Sequence, residues 1–251
     1  MKKLILTLLT FNFLVSCDGL LGPFTDGAEI DPKKISGLVL WLKADAGVKN
    51  TMGGNAIHGD SVNSWEDQSG NNYNAGLGTA PFYYQNSVFN NSPALYFSPG
   101  NSLSGPGGMS ISINATIITV TYTTFSTAQS FINFLGGSNN PTHRLDASFF
   151  YTFDLGGTNA ITPYGYGNKV IFYSAYDNNY ITTYINGKSM NKIYTPGLFN
   201  AIAPIDYDIG GAGSDFYIAE ILIYNRNLSN TEHKEIESYL GKKYDIEYEG
   251  D

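Results

Sequence analysis

The chain has 251 residues, 42% hydrophobic and 14% charged, with a formal net charge of −8 at pH 7 and a single cysteine, Cys17. One thiol excludes an intramolecular disulfide framework and a cysteine-ligated zinc site, so packing alone holds the fold. The negative balance argues against nucleic acid as a partner, because a phosphate backbone demands clustered lysines and arginines.

At the N-terminus, Lys2 and Lys3 precede an apolar run from Leu4 to Val15 and the small residue Ser16. This is the pattern of an export signal over residues 1–16, too short to span a bilayer. Leu14-Val15-Ser16-Cys17 resembles the bacterial lipobox. The resemblance implies cleavage between Ser16 and Cys17 and lipid on Cys17; an ordinary secretory signal or a buried first helix is the alternative. It also implies a bacterial cell-envelope location, with the membrane as a partner through the anchor and the choice of inner or outer membrane left open. Residues 17–34, with Gly19, Gly22, Pro23, Gly27 and Pro32 and no periodicity, read as a tether. A single domain is expected over residues 35–247, followed by an acidic tail over 248–251.

Within that domain, 28 glycines with 19 tyrosines and 15 phenylalanines across the chain favour many short strands over helices. Strands are predicted at Leu38–Lys43, Asn63–Glu66, Ala94–Phe97, Ser110–Tyr122, Phe131–Leu135, Leu145–Phe153, Val170–Tyr176, Tyr180–Ile185, Lys188–Ile193 and Phe216–Tyr224. Such a series suits a sandwich or barrel. Asn186-Gly187 joins two of these runs as a type I′ hairpin turn, because both residues accept positive φ. Ser229-Asn230-Thr231-Glu232 is a capping box that opens a C-terminal helix. Ile236, Tyr239, Leu240 and Tyr244 share one face of it at helical spacing, ready to dock on a sheet.

Three segments carry a further resemblance: GLVLWLKAD at 37–45, VNSWEDQSGNNYNA at 62–75 with the following PALYF at 93–97, and IAEILIYNRNLSNTEHKEIESYLGKKYDI at 218–246. In this order they are similar to the LamG-like or concanavalin A-like jelly-roll domains, a resemblance that fades between about 100 and 165. It implies an all-β fold, a two-sheet antiparallel jelly-roll sandwich with one C-terminal α-helix. It also implies a binding role, toward carbohydrate or an extracellular or envelope protein. A structural or accessory lipoprotein without a dissolved ligand is the alternative, and a glycoside hydrolase of the jelly-roll superfamily is a second.

No catalytic residue is expected. Glycoside hydrolases of the superfamily set three alternating acids on one strand, whereas Asp206-Tyr207-Asp208 has no flanking Glu. Metallopeptidase, P-loop and nucleophile-elbow motifs are absent from the chain. No cofactor is expected either. Asp67, in the turn Asp67-Gln68-Ser69-Gly70-Asn71, is the one calcium candidate, and a single local carboxylate falls short of the six to eight oxygens calcium takes. For ligand contact, the candidates are Tyr164, Tyr166 and Asn168 in a glycine-rich loop, and Asn139, Asn140, His143 and Arg144 as polar donors between two strands. Glu220 interrupts an apolar run and requires a partner, for which Arg226 or backbone donors are the candidates. Trp41 and Trp65 are expected in the core.

Overall fold

A computed structural model describes residues 30–112, 114–124, 129–135, 141–145, 151–155, 158–162, 167–177, 179–196, 202–211, 213 and 215–249. In chain order the strands are β1 (Leu38–Lys43), β2 (Val48–Asn50), β3 (Val62–Trp65), β4 (Ala75–Gly76), β5 (Phe82–Tyr84), β6 (Ala94–Phe97), β7 (Ser102–Ile111), β8 (Asn114–Thr123) and β9 (Gln129–Leu135). They continue as β10 (Pro141–Leu145), β11 (Tyr151–Leu155), β12 (Thr158–Thr162), β13 (Lys169–Asp177), β14 (Tyr180–Ile185), β15 (Lys188–Tyr194), β16 (Ile202–Gly210) and β17 (Phe216–Tyr224), and helix α1 (Asn230–Tyr244) follows. One sheet runs β15-β14-β13-β8-β17-β6-β5, with β1 also on β17; the other runs β12-β11-β10-β9-β16-β7-β4-β3-β2. All pairings are antiparallel. The architecture is the expected all-β jelly-roll sandwich with a C-terminal helix. Among the described residues no helix is long and apolar enough to cross a membrane.

Two apolar clusters hold these layers. Between the sheets lie Leu40, Leu42, Trp65, Phe97, Phe131, Phe134, Tyr151, Phe172, Tyr207 and the Phe216, Ile218, Ile221 and Ile223 side of β17. The second lies between the β17 sheet and α1, joining Trp41, Ile118, Val120, Ile171, Leu222 and Tyr224 to Ile236, Tyr239, Leu240 and Tyr244. Strand alternation sends successive side chains to opposite faces, so β17 feeds both clusters. The helix begins as expected: Ser229 Oγ accepts from Glu232 N, and the Glu232 carboxylate accepts from Ser229 N. The Asn186-Gly187 turn also forms, with φ of 49° and 81°. Here the sequence requires glycine twice over, because a Cβ at Gly187 would also collide with the Glu249 carbonyl.

Four expectations change. Residues ahead of the expected boundary at 35 already belong to the fold: Pro32–Lys34 forms a 3₁₀ turn capped by Asp31, and the Tyr224 hydroxyl donates to Pro32 O at 3.2 Å. The run Ser110–Tyr122 is two strands, because β7 ends at Ile111 and β8 begins at Asn114. The run Leu145–Phe153 is likewise divided between β10 and β11. Strand β7 begins at Ser102, ahead of the predicted start at Ser110, and runs through Gly105, Pro106, Gly107 and Gly108. Gly105 lies opposite Tyr207 in register, and the Tyr207 ring occupies the space a Cβ would need.

Candidate functional site on the uncovered sheet face

Helix α1 covers only part of the outer face of its sheet. Beyond it, that face carries aromatic side chains in register. Tyr122 of β8 pairs with Tyr217 of β17, Tyr217 with Tyr96 of β6, and Tyr96 with Phe82 of β5. Tyr84, two residues along β5 and therefore on the same face, closes the strip. Neighbouring strands lie about 4.8 Å apart, so side chains at matching positions form a continuous row. Ring centroids are 4.9 Å apart for Tyr96 and Tyr217, 5.6 Å for Tyr84 and Tyr217, 5.7 Å for Tyr84 and Tyr96, and 6.2 Å for Tyr122 and Tyr217. Tyr84 stands edge-on to both Tyr96 and Tyr217, an arrangement favoured by the ring quadrupoles. All five rings are half-buried. The exposed His58 ring stands edge-on to Tyr84 at one end, and Lys169 lies opposite Tyr122 at the other.

Electrostatics at the strip are one-sided. Asp215 is fixed where β8 ends: its carbonyl accepts from Thr124 N at 3.2 Å and Thr124 Oγ1 at 2.8 Å. Burial, a hydrogen bond to Asp215 and its charge hold the Tyr96 phenol well above its ordinary range; burial and the neighbouring groups raise Tyr217 as well. Both therefore remain protonated at neutral pH, each hydroxyl able to donate and accept. Lys169 is already engaged, with Nζ donating to the carbonyls of Tyr244 and Asp245 and lying 3.5 Å from the Asp245 carboxylate.

Glu220 lies under the helix on the same sheet face and is fully buried. Its carboxylate accepts from Trp41 Nε1 at 2.6 Å, Tyr239 OH at 3.1 Å, Tyr244 OH at 2.6 Å and Lys243 Nζ at 2.8 Å. Lys243 also lies 3.1 Å from Asp45. Burial pushes the Lys243 ammonium down, but Glu220 and Asp45 outweigh it and hold the group above its ordinary range. The carboxylate is thus partnered by the helix and β1, whereas Arg226, the anticipated partner, forms a bidentate pair with Glu232. A cleft of about 470 Å³ opens beside it, lined by Asp31, Trp41, Lys43, Asp45, Tyr239 and Lys243 among others. With these four donors on its carboxylate, Glu220 fastens α1 to the sheet.

Neither a protein-family model nor a curated protein matches the chain. Solved structures do. The receptor-binding domain of a botulinum neurotoxin C/D mosaic serotype aligns over 80% of this chain and 51% of its own, with a TM-score of 0.59 and 15% identity. A botulinum neurotoxin DC binding domain in complex with rat synaptotagmin II aligns over 81% and 52%, with a TM-score of 0.56 and 13% identity. A Trypanosoma rangeli sialidase in complex with sialic acid aligns over 86% and 34%, with a TM-score of 0.56 and 14% identity. The likeness is one of fold. The chain spans about half the length of the toxin domains and a third of the sialidase.

Of the residues singled out from sequence, the described ones do not converge. Ser16, Cys17, Asn139, Asn140, Tyr164 and Tyr166 lie outside the described residues. Asn168 is exposed on a separate groove of about 570 Å³ between the Asn186-Gly187 turn and the C-terminal segment. His143 and Arg144 are corrected from loop to strand β10, where alternation sends them opposite ways. His143 is fully buried, bonded to Thr119 and Ser174, and so is no surface donor. Arg144 faces outward and pairs with Asp154 at 3.2 Å. Asp67 does not fit calcium: its two oxygens already accept from Trp41 N, Ser69 N, Ser69 Oγ and Tyr73 N. Among the described residues no three His, Cys, Asp or Glu side chains gather to hold a metal. Phe82, Tyr96, Tyr122 and Tyr217 escaped the sequence reading because each lies in a different strand, far from the others along the chain. Only the pairing of β5, β6, β17 and β8 makes them one surface.

Proposed function

We propose that the chain is a lipid-anchored, non-catalytic binding module of the bacterial cell envelope, of LamG-like type, that recognises carbohydrate. The observation that carries the reading is the row of half-buried aromatic rings on the sheet face that α1 leaves uncovered. Tyrosine combines an apolar face for a sugar's C–H groups with a hydroxyl for its polar rim, and rings locked by their neighbours lose little freedom on binding. The described toxin and sialidase structures lend support through fold alone, several of them being binding domains, one in complex with N-acetylneuraminic acid.

A glycan array with the wild-type protein and with Tyr96→Ala and Tyr217→Ala tests the reading. Saturable sugar binding that weakens at least about tenfold in both variants is expected, since central aromatic anchors dominate interface energetics. Tyr96→Phe keeps the ring and should retain most of the affinity. Undiminished binding in folded alanine variants would remove the strip from the function, and binding to proteins alone would replace the glycan. The anchor is tested separately: labelled palmitate should enter the wild-type protein and be lost in Cys17→Ser.

A further inference from the structure

We infer that the strip selects uncharged glycans over anionic ones, an inference that rests on the carbohydrate reading above. The sequence supplies aromatic residues at the matched positions of four adjacent strands and no cation among them. The nearest basic side chain in that row, Lys169, spends its charge on the C-terminal end of α1 and on the Asp245 carboxylate. Among the described residues, that leaves Asp215, two positions before Tyr217 and so on the same side of the chain, as the charge that acts on Tyr96 and Tyr217. Its Oδ1 lies buried with no hydrogen-bond partner among the described residues.

An uncompensated carboxylate under a partly water-excluded surface projects negative potential, and the aromatic faces add the negative side of their quadrupoles. A sialic acid or uronate laid on this strip would meet repulsion, with no free guanidinium or ammonium in the row among the described residues to receive it. A neutral sugar meets rings that take its C–H face and phenols that exchange hydrogen bonds with its hydroxyls. The same charge and rings would suit a quaternary ammonium group, but such a ligand needs an open cage. Here Tyr84, Tyr96 and Tyr217 pack on one another with centroids 4.9–5.7 Å apart, which leaves no gap between rings for a cation.

The test uses the full chain on an array that displays each neutral oligosaccharide beside its sialylated or uronate-bearing counterpart, at low and high salt, with choline as a cationic probe. The neutral member of a pair should bind about tenfold more tightly at low salt, the effect of one unit charge a few ångströms away. The gap should narrow as salt screens it. Asp215→Asn, which retains an acceptor for Tyr96, should close the gap without loss of neutral binding. Should that variant misfold, the salt dependence of the wild-type protein still decides. Equal or tighter binding of the anionic members by the wild type at low salt overturns the inference while leaving carbohydrate recognition intact. Failure to bind any glycan removes the carbohydrate reading itself, and capture of choline alone overturns both.

Discussion

Acid should destabilise this protein through a residue far from any surface, His143, and the size of the effect follows from its surroundings. The imidazole has no exposed area; Nδ1 lies 3.3 Å from Thr119 Oγ1, Nε2 lies 2.8 Å from Ser174 Oγ, and the ring packs on Phe172 with centroids 4.2 Å apart. A neutral ring satisfies both hydroxyls, whereas a protonated one would carry a charge into the core. Burial lowers its pKa from 6.5 to about 3. Below pH 6.5 the unfolded chain therefore binds a proton that the folded chain refuses until about pH 3, so stability is intact above that window and is lost as pH falls through it. Within the window the slope approaches about 1.4 kcal/mol per pH unit, and acidification from about pH 6 to about pH 4 costs roughly 2 kcal/mol. That is a sizeable part of a total stability of about 5–15 kcal/mol. Urea unfolding at successive pH values, for wild type and His143→Gln, measures it. Glutamine offers a donor and an acceptor but does not titrate, and the other groups titrate alike in both proteins and cancel in the difference. The wild-type advantage should shrink by roughly 2 kcal/mol across those two units. Parallel pH profiles would refute the reasoning.

Glu220→Ala should cost about 3–5 kcal/mol in chemical denaturation, because it leaves the buried Trp41 N–H without its acceptor and Lys243 with only Asp45 and the Tyr239 hydroxyl; faster hydrogen exchange in α1 should accompany it. Gly105→Ala should cost about 1–3 kcal/mol by driving a methyl group into the Tyr207 ring, and combination with Tyr207→Leu should be less than additive if that collision is the cause. Glu232, held down to about 2 first by its hydrogen bond from Arg226 and then by Ser229 N, contributes stability above pH 4.5 that is lost as pH falls through about 2. Glu232→Gln should accordingly be less stable at neutral pH, by about 1 kcal/mol once solvent screening is allowed for, with the deficit vanishing in acid; a deficit that persists there would assign the loss to helix capping alone.

What was legible in the sequence was whatever a short window decides. Leu38–Lys43, Ala94–Phe97, Tyr180–Ile185 and Phe216–Tyr224 match β1, β6, β14 and β17 residue for residue, because alternation or a dense apolar run with flanking turns is a local signal. The Asn186-Gly187 turn and the Ser229–Glu232 cap were equally local. Strand β7 was hidden because the reason for Gly105 lies about a hundred residues away, in the Tyr207 ring that crosses it. The outward strip was hidden for the same reason on a larger scale. Its rings come from β5, β6, β8 and β17, and nothing near Tyr96 in the chain indicates that Tyr217 will lie beside it. The partner of Glu220 was misjudged by the same logic: Arg226 is close in sequence, but a bulge between Ile218 and Glu220 turns the carboxylate under the helix, toward Trp41, Tyr239, Lys243 and Tyr244. That bulge falls where β17 exchanges β6 for β1 along one edge. On the β6 side the outer face is left to Tyr217 and its neighbours; on the β1 side Glu220 anchors the helix that covers it. The irregularity that gives the fold its buried anchor thus also marks where the helix-covered surface gives way to the uncovered aromatic strip.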